Sequence, residues 1–122
     1  MRIKKADQIL KSFADETRLR IINLLSRYEL NVTELGEVLQ SNQSNLSKHL
    51  TRLRLTGVVC DRKDGLNVYY QLIKPEGKAY KELLRIVTVG LAGLETFKQD
   101  LNRLKEIRKV GKKINAKGGD KK

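Results

Sequence analysis

Between Gln43 and Arg52 the sequence reads QSNLSKHLTR, and its residue types sort by face when the segment is wound as a helix. With Leu46 at zero on a wheel of about 100° per residue, Leu50 falls near 40° and Leu53 near −20°. Ser44, Lys48, Thr51 and Arg52 fall on the opposite side, with Asn45 at its edge. That outer face carries small polar groups and cations and no carboxylate. The chemistry it suits is recognition of a nucleic-acid groove, where Lys or Arg takes guanine acceptors and Asn pairs with adenine. Gln43, Ser44 and Asn45, at the N-terminal end, are placed to meet base edges first. An ordinary solvated helix face has the same outline, so the elements around this one carry the distinction. Arg62 and Lys63 stand beside the Asp64-Gly65 turn, a second candidate contact, where cations suit phosphate or minor groove. Arg18 and Arg20 either extend this positive surface or are simply solvated.

Other reactive side chains point to little. No carboxylates cluster, no Ser/Cys–His pair stands near a credible pocket, and no glycine-rich phosphate loop occurs, so no enzyme is expected. His49 sits about 60° from the Leu46–Leu50 stripe, on the side facing the domain, and reads as a structural hydrogen-bonding residue. Cys60, the only cysteine, excludes an intramolecular disulfide and reads as a small strand residue rather than a thiol switch.

Short capped elements must position these groups. Ile3, Ile9, Leu10 and Phe13 predict a first helix ending near Ala14. Asp15 is placed to cap a second helix, DETRLRIINLLS. Asn31 with Glu34 resembles a capping box opening a third helix through Leu39. Gln40, Ser41 and Asn42 form a three-residue turn, with Asn42 capping the fourth helix from Gln43, the outline of a helix-turn-helix. VVCDR and LNVYYQL then read as the strands of a hairpin. Pro75, the only proline, ends it before a long helical pattern over 76–110.

Within that pattern Leu83, Val87, Gly90, Leu94, Phe97, Leu101 and Leu104 recur at alternating four- and three-residue spacing, a heptad-like seam. A continuous helix of that length spans roughly 50 Å, more than so small a domain covers alone. The seam is therefore expected to bury against a second copy of the chain. The segment VTVGLAGL is poor helix sequence, which predicts close approach or a kink near Gly90 and Gly93.

The chain has 122 residues, 39% of them hydrophobic, which bounds it to one domain with a modest aliphatic core. Lys and Arg number 26 against 14 Asp and Glu, a formal charge of +12. That surplus favours a polyanionic partner, because neutralised phosphates release counterions. No signal peptide is recognised, and LLRIVTVGLAGL is too short to span a membrane, so a cytoplasmic protein is expected. Residues 1–110 form the expected domain, and 111–122, rich in Lys and Gly, an expected disordered basic tail. The predicted fold is mainly α with a small β-hairpin: a winged helix-turn-helix, ααααββα, dimeric through its terminal helices.

The blocks FADETRLRIINLL, VTELGEVLQSNQSNLSKHLTRLRLTGVV and DRKDGLNVYYQL resemble the ArsR/SmtB family of bacterial and archaeal repressors, over roughly residues 6–72. The resemblance implies a homodimeric winged-helix repressor of duplex DNA, usually released by a ligand. It places Gln43, Ser44, Asn45, Ser47 and Lys48 on the reading helix and Arg62 and Lys63 on the wing. Leu66 stands where many relatives carry another cation, which implies a weaker wing grip. Metal-sensing relatives carry paired cysteines in a pattern such as ELCVCEL. Here ELNVTEL puts Asn31 and Thr33 at those positions, and a soft ion needs thiolates. Residues 76–110 hold no His for the zinc site of other relatives, so neither metal nor cofactor is expected. An operator-specific repressor and a non-specific architectural duplex binder both remain open, as does the identity of any small-molecule or redox effector.

Overall fold

The computed structural model describes residues 1–119, with side chains as far as Lys109. Helix α1 spans Ile3–Phe13 and α2 Glu16–Leu25, where the Asp15 carboxylate accepts from the Arg18 N–H at 3.0 Å. Helix α3 spans Val32–Leu39, and its capping box is complete: Asn31 accepts from Glu34 N–H, and Glu34 accepts from Asn31 N–H. Helix α4 spans Gln43–Leu55 from an Asn42 cap. These starts follow the sequence closely, because each rests on a local side chain that satisfies N–H groups a helix leaves open.

The two long strands, β2 (Val59–Asp64) and β3 (Asn67–Leu72), pair antiparallel from Val59↔Leu72 to Asp64↔Asn67. Gly65 opens the two-residue loop at φ +62°, a conformation that side-chain-bearing residues avoid. A third strand, β1 (Leu30–Asn31), adds to the free edge of β3 in the order β1-β3-β2. The sequence shows no sign of it, since two residues carry no periodicity. It fastens the base of the hairpin to the start of α3.

The single helix expected over 76–110 is not formed, and here the sequence reading is corrected. Helix α5 covers Lys78–Arg85, widens into a π-helical turn over Ile86–Gly90, and gives way to a turn before α6, Glu95–Gly119. Four consecutive β-branched residues, Ile86 to Val89, crowd the preceding turn, and Thr88 bonds back to the Leu84 carbonyl at 3.0 Å. The kink expected near Gly90 and Gly93 is thus present. Close backbone approach is not, within one chain: a Cβ on Gly90 would meet only Ile86 at 4.0 Å, and one on Gly93 nothing. The break lets α6 fold back against α2 and α3.

That return changes the fate of the seam. Val87, Phe97 and Leu104 are 3%, 2% and 0% exposed in the single chain, so they are spent on its own interior. Leu83 and Leu101 are half-buried against the core, while Gly90 and Leu94 stay exposed. With the helix broken, Phe97 and Leu104 are already buried without a second chain. The basic tail expected over 111–122 lies outside the described side chains; the α6 backbone itself continues to Gly119.

Polar contacts rivet α6 in place. Arg20 donates to both carboxylate oxygens of buried Asp100, at 2.9 and 2.7 Å. Arg103 donates to the Val38 carbonyl at the end of α3, and Arg108 to Glu34 and to the Glu29 carbonyl. Arg20 therefore does not belong to a solvated positive surface. Asp100 holds its guanidinium even more firmly in the charged form, against the opposing effect of burial. Asn23 is buried and unmatched: neither of its amide atoms finds a partner among the described residues. Asn23→Leu keeps the shape and removes that desolvation penalty. It is expected to raise stability by about 1–3 kcal/mol, read as a higher urea midpoint at unchanged slope.

Candidate nucleic-acid interface

The helix-turn-helix closes on the turn Gln40–Asn42. Gln40 takes the left-handed conformation, φ 53°, as the only non-glycine residue to do so among the described ones. Ser41 N–H then reaches the Gly36 carbonyl at 3.2 Å, which ends α3 and aims α4 across it. Leu46, Leu50 and Leu53 are buried, as the wheel requires. Gln43, Ser44, Asn45, Ser47, Lys48 and Arg52 are exposed, and Thr51 is half-buried.

The structure divides this set. Gln43 to Lys48 occupy the solvent-facing start of α4, where no acidic residue lies in the first turn. Open N–H groups and the helix dipole there favour an anion. Asn45 shares its carboxamide with the Ser41 hydroxyl at 3.1 Å, which orients it without burying it. Arg52 lies nine residues beyond Gln43, about 13 Å along the axis. It shares a recess with Lys4 and Lys11 of α1 rather than with Gln43 to Lys48.

His49 faces inward, half-buried, and forms part of the support of α4. Arg18 donates from Nη1 to His49 Nδ1 at 3.1 Å, and from its other nitrogens to the Ser12 and Lys11 carbonyls. Guanidinium cannot accept, so Nδ1 is the acceptor in this bond. Arg18 is therefore a strut joining α1, α2 and α4, not part of a phosphate-binding surface.

At the wing the two predicted cations differ. Arg62 donates to Glu29, stands 3.6 Å from Asp64, and stacks over the Tyr69 ring at 5.0 Å. Glu29 is held below the usual carboxylate range by that hydrogen bond to Arg62. Lys63 points from the opposite face of the ribbon and is exposed, with no ion pair among the described residues. Neighbouring residues of a strand face opposite ways, whereas nothing local marks Glu29, 33 residues away, as the partner of Arg62. Leu66 tops the wing fully exposed. Between the wing tip, α3 and the start of α4 lies a cleft bounded by Gln43, Asn67 and Val68. Cys60 is half-buried on the outer face, its sulfur accepting from Gln71 at 3.6 Å. The start of α4 and the hairpin thus stand side by side, each with an exposed cation, Lys48 and Lys63.

Comparison with known proteins agrees with this geometry. Residues 15–60 match the family described as "Bacterial regulatory protein, arsR family". The chain is 46% identical over 80 residues to the transcriptional activator HlyU of Vibrio cholerae, covering 66% of this chain and 74% of that one. An arsenic resistance transcriptional regulator of Pseudomonas putida is 43% identical over 100 residues, 81% of this chain and 77% of the relative. The solved structure of Vibrio cholerae HlyU superposes with a TM-score of 0.60 at 44% identity, covering 70% of this chain and 95% of that one. The transcriptional repressor BigR of Xylella fastidiosa superposes with a TM-score of 0.60 at 28% identity, covering 75% and 92% respectively.

Proposed function

This chain belongs to the ArsR family of bacterial regulatory proteins, and from that premise we propose that it represses transcription by occupying an inverted-repeat operator as a homodimer. It is a winged helix-turn-helix, DNA-binding transcriptional regulator. The observation that carries the finer reading is the exposed, acid-free start of α4, with Lys48 exposed there and Lys63 on the neighbouring wing. In this reading Gln43, Ser44 and Asn45 meet base edges, Ser47 and Lys48 complete the reading face, and Lys63 holds adjacent phosphates. Thr51 and Arg52 are assigned at most backbone contacts, given their distance from the helix start.

The dimer surface is reassigned to side chains left apolar in water. Ile3 and Leu10 lie one above the other on the outer face of α1, at 85% and 50% exposure. Ile86, Val89 and Leu94 are similarly exposed around the π-turn. Joining two copies through these terminal-helix faces buries them and presents two reading helices. A separation of about 34 Å then selects half-sites one DNA turn apart. Repression follows by occluding polymerase, in the cytoplasm where the template lies. Among the described residues no helix is long and apolar enough to cross a membrane. A thiolate ion site at the ELNVTEL segment is not part of the proposal: Asn31 caps α3, and Thr33 brings only a hydroxyl.

Selection of randomised duplexes on the purified protein at about 0.15 M salt, followed by sequencing, tests this. An enriched inverted repeat with half-sites one turn apart is the expected result. If a dimer meets about 6–10 phosphates, affinity falls roughly 10³- to 10⁵-fold between 50 and 200 mM salt. Tight, salt-sensitive binding without any enriched sequence would replace the operator reading with architectural duplex coating.

A further inference from the structure

A recess of about 570 Å³ opens between α1, the end of α4, and the stretch joining β3 to α5. Its walls are mainly apolar, built from Ile9, Ile73 and Tyr80 among others. Three lysines, Lys5, Lys74 and Lys78, stand round it against one carboxylate, Glu76. A pocket of this size suits a small organic ligand, and an apolar wall with a cationic rim suits an amphiphile with an anionic head. Tyr80 is 8% exposed, and its hydroxyl has no partner among the described residues. Burial raises its pKa to about 12, so the group stays neutral at the wall.

The recess also touches the reading helix. Lys5 Nζ donates to the Thr56 carbonyl at 3.1 Å, capping the C-terminus of α4 from α1. A carboxylate in the recess competes with Thr56 for that ammonium. Lys5 and Ile9 are turned roughly 100–160° round α1 from Ile3 and Leu10, so the recess opens on a different side of that helix.

We propose that this recess is an effector site for a medium-chain fatty carboxylate, whose head group draws Lys5 from Thr56 and loosens α4 from α1. The role as effector rests on the regulator reading, whereas binding itself does not.

Calorimetric titration of the full chain with decanoate, below its micellar range and without DNA, tests the site. Expected is one decanoate per chain. Octanoate should bind about fifteenfold more weakly, since each buried methylene is worth about 0.8 kcal/mol, roughly fourfold. Decanol, with the same tail and no charge, should bind at least tenfold more weakly than decanoate, as should decanoate to the Lys5→Met/Lys78→Met chain. Ala79→Trp, at an exposed position lining the recess, should block binding without unfolding the protein. No decanoate binding, equal binding of decanol, or indifference to all these variants would overturn the site. Decanoate that binds yet leaves duplex affinity unchanged would overturn its role as effector. A protein that binds decanoate but no duplex at all would instead count against the regulator reading.

Discussion

Lys48→Glu is expected to lower duplex affinity about thirtyfold to twenty-thousandfold while leaving the fold intact. The side chain is exposed, points away from the Leu46–Leu50–Leu53 stripe, and makes no ion pair among the described residues, so nothing in the core depends on it. Each lost contact to a base or phosphate costs about 1–3 kcal/mol, and a dimer loses it twice. The total, about 2–6 kcal/mol, exceeds the few tenths that a surface charge contributes to folding. Fluorescence anisotropy with the selected duplex, beside far-ultraviolet circular dichroism, reads both quantities. The wing gives an internal contrast. Lys63→Ala should flatten the dependence of log K on log salt by close to two contacts per dimer, because Lys63 is not neutralised. Arg62→Ala should flatten it less, because Glu29 and Asp64 already compensate that guanidinium. Equal salt slopes for the two variants would show that Arg62 leaves Glu29 when DNA binds. An unchanged affinity for Lys48→Glu would remove α4 from the groove.

The features legible in the sequence are those fixed by neighbours a few residues apart. Asp15, Asn31 and Asn42 announce three helix starts, and the leucine period of α4 alone separates buried from exposed positions. The outer face of α4 was readable for that reason. Less visible was what lies across the fold from it. Arg18 and Arg20 read as surface cations, yet one braces His49 and the other holds Asp100, 31 and 80 residues away. The seam from Leu83 to Leu104 misled in the same manner. Its four-three spacing runs unbroken through Ile86–Leu94, and a spacing argument has no term for the crowding of four β-branched residues. Propensity did flag VTVGLAGL as poor helix. What propensity lacks is the destination of the chain after the break, which tertiary packing on α2 and α3 decides.

The Arg20–Asp100 pair tests that destination with the largest expected effect on stability. Asp100 is 1% exposed, and Arg20 supplies both hydrogen bonds to its carboxylate. Arg20→Met strands a buried charge, which costs about 3–5 kcal/mol, a large share of the 5–15 kcal/mol that holds a typical domain together. Asp100→Leu should cost less. Arg20 retains 24% side-chain exposure, so its guanidinium can swing towards water once its partner is gone. The double variant removes both desolvation penalties and fills the same volume with apolar atoms. It should lie well above Arg20→Met and reach or exceed the parent, by up to about 4 kcal/mol. The sign of the coupling is therefore diagnostic: the second substitution rescues the first. Urea midpoints for the four proteins at one concentration measure it. If Arg20→Met unfolds at the parent midpoint, α6 does not rest on α2 in the free chain. The apolar seam, with Phe97 and Leu104 released from the interior, would then be available to a second copy.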